Sequence, residues 1–188
     1  DGQGVILLVY SAIMTRTIGQ VRDDMDLKDN TLLNEHGYAS QEMVNLMIVG
    51  QAKSNLHDGD QDLGDNYILK GIPHRPDVGF LSFFEYFEYF TVGECYKSPK
   101  LPIWVVCSES HYSVLFSLDI NNIDVKKGKT FDLVYYDELA RQEDDIILSI
   151  TPGVQKCLGP DENKHPVPID EVIRTKWASA KIGWNGRT

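Results

Sequence analysis

Cysteine is scarce in this sequence. The three present, Cys95, Cys107 and Cys157, are widely spaced and odd in number. That excludes a disulfide framework and points to a reducing compartment, the cytoplasm with the nucleus as the alternative. Basic residues are also short: 18 Lys and Arg stand against 28 Asp and Glu, for a formal net charge of -10. Such a balance excludes nucleic acid as a partner, because a phosphate backbone needs clustered cations. An anionic membrane surface is excluded on the same ground, and a partner with a basic or mixed apolar surface fits better. The longest apolar run, Val5 to Met14, is interrupted by Tyr10 and Ser11 and falls short of the ~20 residues of a spanning helix. It also lacks the basic flank and cleavage site of a signal peptide. Internal repeats and low-complexity stretches are missing. No Gly-x-Ser-x-Gly elbow exists to carry a serine nucleophile. No second pair at ligand spacing joins Cys107 and His111, so a zinc site, and any other cofactor, is not expected.

What is present suits a globular chain. Hydrophobic residues make up 42% of the 188 and charged residues 24%, enough for one core with a small appendage. The first residue is Asp1, and the chain opens into an apolar stretch. We therefore expect residues 1–188 to be the C-terminal part of a longer domain. Val5 to Thr17 is apolar nearly all round, which predicts a buried helix. Ser40 is placed to cap a second helix, where Met43, Val44, Met47 and Ile48 share one face and Gly50 offers an end. Residues 55–66, NLHDGDQDLGDN, form an acidic loop. It has neither the closing Glu nor the flanking helices of an EF-hand, so a solvated loop is expected. Asp77 is positioned to cap a third helix running VGFLSFFEYFEYF, its aromatics mostly core and in part a binding face.

From Pro102 the pattern changes to strands. IWVVCS, HYSVLFSL, TFDLVYYD and DIILSI are β-branched and aromatic runs of strand length. SES and KKGK join the first three as antiparallel hairpins. EVIRTKWASAKIGWNG is expected as a further strand anchored by Trp177 and Trp184. Helices first and strands after predict an α+β fold, N-terminal helices followed by an antiparallel sheet.

The stretch CSESHYSVLFS, residues 107–117, holds a thiol four residues before an imidazole. With SES as a three-residue loop, Cys107 and His111 become cross-strand neighbours, their Cβ atoms roughly 5 Å apart. Cys107 follows IWVV and sits near Glu109, a setting that disfavours a thiolate, so core packing is its expected role. His111 and Ser113 share one strand parity and Tyr112, Val114 and Phe116 the other. If the aromatic parity faces the core, His111 stands on a polar face as a candidate general base. Asp137 ends FDLVYYD on a neighbouring strand, where a carboxylate can fix the imidazole tautomer. A turn or cap residue before ELARQ is the competing role, and pattern alone favours it.

A family resemblance bears on that question. Residues 77–117, DVGFLSFFEYFEYFTVGECYKSPKLPIWVVCSESHYSVLFS, closely resemble the C-terminal half of the catalytic domain of the MINDY deubiquitinases, most of all the branch that includes the fourth human member. QEMVNLMIVGQAKSN (41–55), FDLVYYDELARQ (131–142) and IRTKWASAKIGWNG (173–186) agree in order. The resemblance implies a papain-like cysteine protease variant, a thiol protease that hydrolyses isopeptide bonds in lysine-48-linked polyubiquitin. Its partners would be ubiquitin and its lysine-48-linked chains. It also implies that His111, in the SESH-aromatic-Ser motif, is the catalytic base, with Asp137 as the expected orienting acid. The family's nucleophile is a Cys opening an N-terminal helix after a Gln of the oxyanion hole. No such stretch occurs in these 188 residues, and Cys95, Cys107 and Cys157 lie in other contexts. Two further possibilities stay open: a catalytically inactive ubiquitin-binding pseudoenzyme and a structural interaction domain.

Overall fold

The computed structural model describes residues 2–65, 67–154 and 166–185. They form two compact units, Asp1–Pro76 and Asp77–Thr188. The content is mixed α and β, with helices both before the main sheet and between its strands. Among the described residues, no single helix is long and apolar enough to cross a membrane.

The first unit contains α1 (Gly2–Arg16), α2 (Ile18–Asp24) and α3 (Gln41–Val49), with a short antiparallel pair, β1 (Gln61–Asp62) and β2 (Ile68–Leu69). The α3 boundaries follow from local chemistry. Ser40 Oγ accepts the Met43 N–H, and Gly50 ends the helix in the left-handed region at φ 74°. Val21, Met25, Leu46 and Ala52 form a small core, with Ala12, Ile13 and Leu32 packed against it. Asp24 is buried but paired: Arg16 donates from Nη2 at 2.6 Å and from Nε at 2.8 Å, and the Ala52 N–H adds a third bond. That network meets the requirement that a buried charge be matched. The expected burial of the first helix is corrected. Val5, Ile6, Leu7, Leu8, Tyr10 and Met14 are exposed, and no described residue of α1 is buried. A helix apolar on all sides cannot bury every side against one small unit. The acidic loop carries β1, and among the described residues no three His, Cys, Asp or Glu side chains converge on a metal geometry.

The second unit is built on a six-stranded sheet in sequence order: β3 (Gly79–Ser82), β4 (Ile103–Ser108), β5 (His111–Phe116), β6 (Phe131–Tyr136), β7 (Ile146–Thr151) and β8 (Lys181–Trp184). Every pairing is antiparallel except β3 with β4, which is parallel. One face carries the core: Trp104 and Val106, Leu115, Phe131 and Leu133, Leu148 and Ile150. The helix α6 (Pro168–Lys176) covers it through Ile169, Val172 and Ile173, and Trp177 stands edge-on to Trp104 at 5.2 Å.

Two expectations are corrected in this unit. Residues 79–82 form a strand, and only Phe83–Tyr86 (α4) of the segment after Asp77 is helical before a loop leads to α5 (Glu94–Lys97). All four strand residues are buried, and a short apolar run buried on both faces has no alternation to distinguish it from a helix. Gly79 permits the pairing, since a Cβ there would lie 2.3 Å from the Tyr96 carbonyl oxygen and 2.4 Å from the Trp104 ring. Residues 171–176, expected within a strand, lie in the helix α6. Pro168 opens the helix, Asp170 and Glu171 occupy its first turn, and Arg174 and Lys176 its last, in accord with the helix dipole. Only Lys181–Trp184 of that segment is a strand. Cys157 lies outside the described residues.

Candidate active site

The β4–β5 hairpin sets the site. Its register pairs Ser108 with His111 and Cys107 with Tyr112, leaving Glu109 and Ser110 as a two-residue turn. Glu109 takes φ 58°, the left-handed value that tight hairpin turns require. This corrects the expected three-residue loop and its consequence. Cys107 and His111 are not cross-strand neighbours, and they point to opposite faces. His111 shares its face with Ser113, Leu115, Val106 and Trp104, the core face, whereas Tyr112 is exposed on the other. The expected parity was inverted because Leu115 belongs to the set containing His111, and it is this leucine that the core buries.

His111 stands at the open end of that core face, its side chain 34% exposed. Asp137 follows the last residue of β6, and its Oδ2 lies 2.9 Å from His111 Nε2. An ionised carboxylate has no proton to give, so Nε2 carries a hydrogen, and in the neutral imidazole Nδ1 is the nitrogen with the lone pair. Asp137 also caps the turn at Glu138–Ala140, where Oδ1 accepts the Leu139 N–H at 3.0 Å. Asp137 thus makes one contact with each oxygen, to the imidazole through Oδ2 and to the turn through Oδ1. Burial opposes ionisation of Asp137. Hydrogen bonds from His111 and the Leu139 N–H, with the field of His111, outweigh it and hold the carboxyl below its ordinary 3.8.

Two residues near this pair, Tyr135 and Gln142, escaped sequence reasoning. Tyr135 donates its hydroxyl to Asp137 Oδ2 at 3.3 Å and is itself hydrogen-bonded to Ser113. Gln142 Oε1 accepts the Asp137 N–H at 2.8 Å, and its Nε2 donates to the Tyr135 carbonyl at 3.2 Å. Strand period two was the available signal: Ser113 is two residues from His111, and Tyr135 two from Asp137. Trp184, an expected anchor, packs edge-on to Tyr135 and donates its indole N–H to Asp170.

The thiols lie elsewhere. Cys107 is 7% exposed, and its Sγ donates to the Glu109 carbonyl at 3.4 Å. Burial pushes this thiol up, with a partial offset from a hydrogen bond to Tyr112. Although the Tyr112 ring is exposed overall, its phenol is pushed up to about 12 by desolvation at the hydroxyl and by Cys107 beside it. Cys95 is half-buried on α5, the helix that packs on β3. Of the aromatics at 80–90, Phe80 and Phe83 are core, while Phe87, Tyr89 and Phe90 are exposed.

Comparison with known proteins supplies the family. A family model described as deubiquitinating enzyme MINDY-3/4, conserved domain, matches residues 1–186. A human protein named probable ubiquitin carboxyl-terminal hydrolase MINDY-4 is 44% identical over 188 residues, 97% of this chain and 25% of its own length. Its Xenopus tropicalis counterpart is 42% identical over the same shares. The ubiquitin carboxyl-terminal hydrolase MINDY-3 of Xenopus tropicalis is 39% identical over 118 residues, 62% of this chain and 26% of its own length. The chain thus spans about a quarter of the length of the curated relatives it matches. No solved structure matches it. A match over nearly the whole chain, with a higher identity to MINDY-4 than to MINDY-3, means that the chain belongs to the MINDY-3/4 family of deubiquitinating enzymes.

Proposed function

We propose that this chain is the base-bearing, C-terminal part of a cysteine-type deubiquitinase domain with a papain-like arrangement, and that it hydrolyses isopeptide bonds in lysine-48-linked polyubiquitin. The observation that carries this reading is the 2.9 Å contact between His111 Nε2 and Asp137 Oδ2 at the open end of the core face. The names of its relatives, ubiquitin carboxyl-terminal hydrolases, support ubiquitin as the substrate. The linkage preference is carried by family resemblance. The nucleophile is a cysteine from sequence outside these 188 residues. Cys107 is unsuited to the part, being buried, pushed up and directed away from the imidazole.

In this mechanism Asp137 holds the proton on Nε2, so Nδ1 accepts the thiol proton. The thiolate attacks the isopeptide carbonyl carbon and forms a tetrahedral intermediate. As it collapses, the C–N bond breaks and the imidazolium returns its proton to the departing lysine amine. A thioester to the ubiquitin C-terminus remains. His111 then takes a proton from water, hydroxide adds to the thioester carbonyl, and the thiol leaves with that proton. The Asp137 carboxylate stabilises the imidazolium present in both halves of the cycle.

Ubiquitin carrying a thiol-reactive group at its C-terminus tests the reading, offered both to this chain and to the full-length protein. The expected adduct forms in the full-length protein only, on a cysteine outside these 188 residues, and depends on His111. Labelling of Cys107 would overturn the assignment of the thiol. Binding of ubiquitin without any adduct would identify a pseudoenzyme.

A further inference from the structure

We infer that Tyr135 and Gln142 are positioning residues for the His111–Asp137 pair, a role that rests on the catalytic function proposed for that pair. Asp137 sits where the sheet stops supporting the chain. The last rung between β6 and β7 joins Tyr135 to Ile146, and the last between β5 and β6 joins Val114 to Tyr136. Asp137 itself has no rung. The primary amide of Gln142 takes the place of one. It accepts the Asp137 N–H and donates to the Tyr135 carbonyl, two main-chain groups separated like successive ladder groups on one strand edge. The backbone that bears the carboxylate is thus tied down by a side chain reaching back from the β6–β7 connection.

The carboxylate itself is fixed separately. The Leu139 N–H holds Oδ1, and His111 Nε2 and the Tyr135 hydroxyl share Oδ2. Tyr135 is well suited to a steady donor role. Its hydroxyl is also hydrogen-bonded to Ser113, its ring rests edge-on against Trp184, and the phenol, protonated at neutral pH in any case, is pushed further up by burial. Without the phenol, the carboxylate is held by one donor fewer and less firmly against rotation about its Cβ–Cγ bond. Without the Gln142 amide, the main chain beneath it loosens. Either change misaligns the acceptor that selects the Nε2–H tautomer of His111, although neither residue reaches the reacting atoms.

The test records ring 15N shifts of His111 in this chain at neutral pH, for wild type and for Tyr135→Phe, Gln142→Met and Asp137→Asn. Gln142→Met keeps the side-chain length and removes the amide. A wild-type ring held as the Nε2–H tautomer is expected, with both positioning variants moved toward the mixed tautomers of Asp137→Asn. In the full-length protein, the same two variants should lose about 10-fold in kcat against ubiquitin chains with KM unchanged. An unchanged His111 tautomer in both variants, in chains with wild-type circular dichroism, overturns the inference. If the wild-type full-length protein hydrolyses no ubiquitin chain, the proposed function fails, and the tautomer comparison still decides the positioning role. If Gln142→Met does not fold, Tyr135→Phe alone carries the decision.

Discussion

The two faces of the β4–β5 hairpin place a thiol and an imidazole within four residues of each other and give them opposite chemistry. On the outer face Cys107 is enclosed, donates a weak bond to a carbonyl and is pushed up by burial. On the inner face His111 stands where the apolar core ends, half-open to solvent and gripped by Asp137. The residue types alone do not decide which group does chemistry. A buried thiol has no cation or helix N-terminus to favour its charge. The imidazole has a carboxylate on one nitrogen and, in the proposed mechanism, uses the other to take the thiol proton.

The strongest way to break this contrast is to remove each group in turn. In the full-length protein, His111→Ala should lower hydrolysis of lysine-48-linked diubiquitin by about 10²- to 10⁴-fold, while Cys107→Ala leaves it within about twofold. Gel-based cleavage assays at equal ubiquitin occupancy read this, and a dead Cys107→Ala would reverse the assignment.

Packing sharpens the contrast next. Leu115 is fully buried on the inner face, and Val114 beside it is only half-buried on the outer. Leu115→Ala should cost about 2–5 kcal/mol and Val114→Ala about 1 kcal/mol. Urea denaturation of the two variants measures the difference, and equal losses would mean that both faces are buried alike.

Acid then probes the pair itself. The Asp137 carboxyl lies below its ordinary 3.8 when folded. Its contribution to stability is therefore fully present above the unfolded value and is lost as pH falls through the lower folded value. The stability gap between wild type and Asp137→Asn should shrink as pH drops from 5 toward and below about 3, as denaturant midpoints across that range would record. A gap that stays constant would mean the carboxylate gains nothing from its partners.

The smallest effect concerns the thiol. Cys107 in the folded chain should react with iodoacetamide about 10-fold more slowly than in the unfolded chain at pH 8. Mass spectrometry of timed quenches reads that ratio, and a fast folded-state reaction would contradict its enclosure.

Much of this was legible in the residues, and the losses have physical causes. Ser40 and Gly50 bound α3 because capping is local. The strands after Pro102 emerged because β-branched residues crowd at strand spacing. His111 came from its motif and Asp137 from its place at the end of a strand, and the structure brings the two together. The facing of His111 was lost because Tyr112, Val114 and Phe116 make the other parity look apolar, whereas the core buries Leu115, and its pairing was lost because that depends on turn length. Three loop residues or two give the same composition but opposite parity. Residues 79–82 read as helix because an apolar run buried on both faces has no period. The exposure of α1 depends on what surrounds it, which no helical pattern encodes. Gln142 was invisible for a similar reason: its role is to replace a missing strand rung, and that vacancy exists only once the sheet is built.

The two-residue turn at Glu109 and Ser110 also constrains how this site can drift through evolution or be edited by design. Side chains on a strand alternate, so a single insertion or deletion there, taken up by a one-step slip of β5, would rotate His111 off the core face and bring Tyr112 into its place. Exchanges of residue type within the turn leave that geometry untouched, provided the left-handed position at Glu109 is kept. The turn therefore behaves as a ruler: forgiving in what it is made of, unforgiving in how long it is.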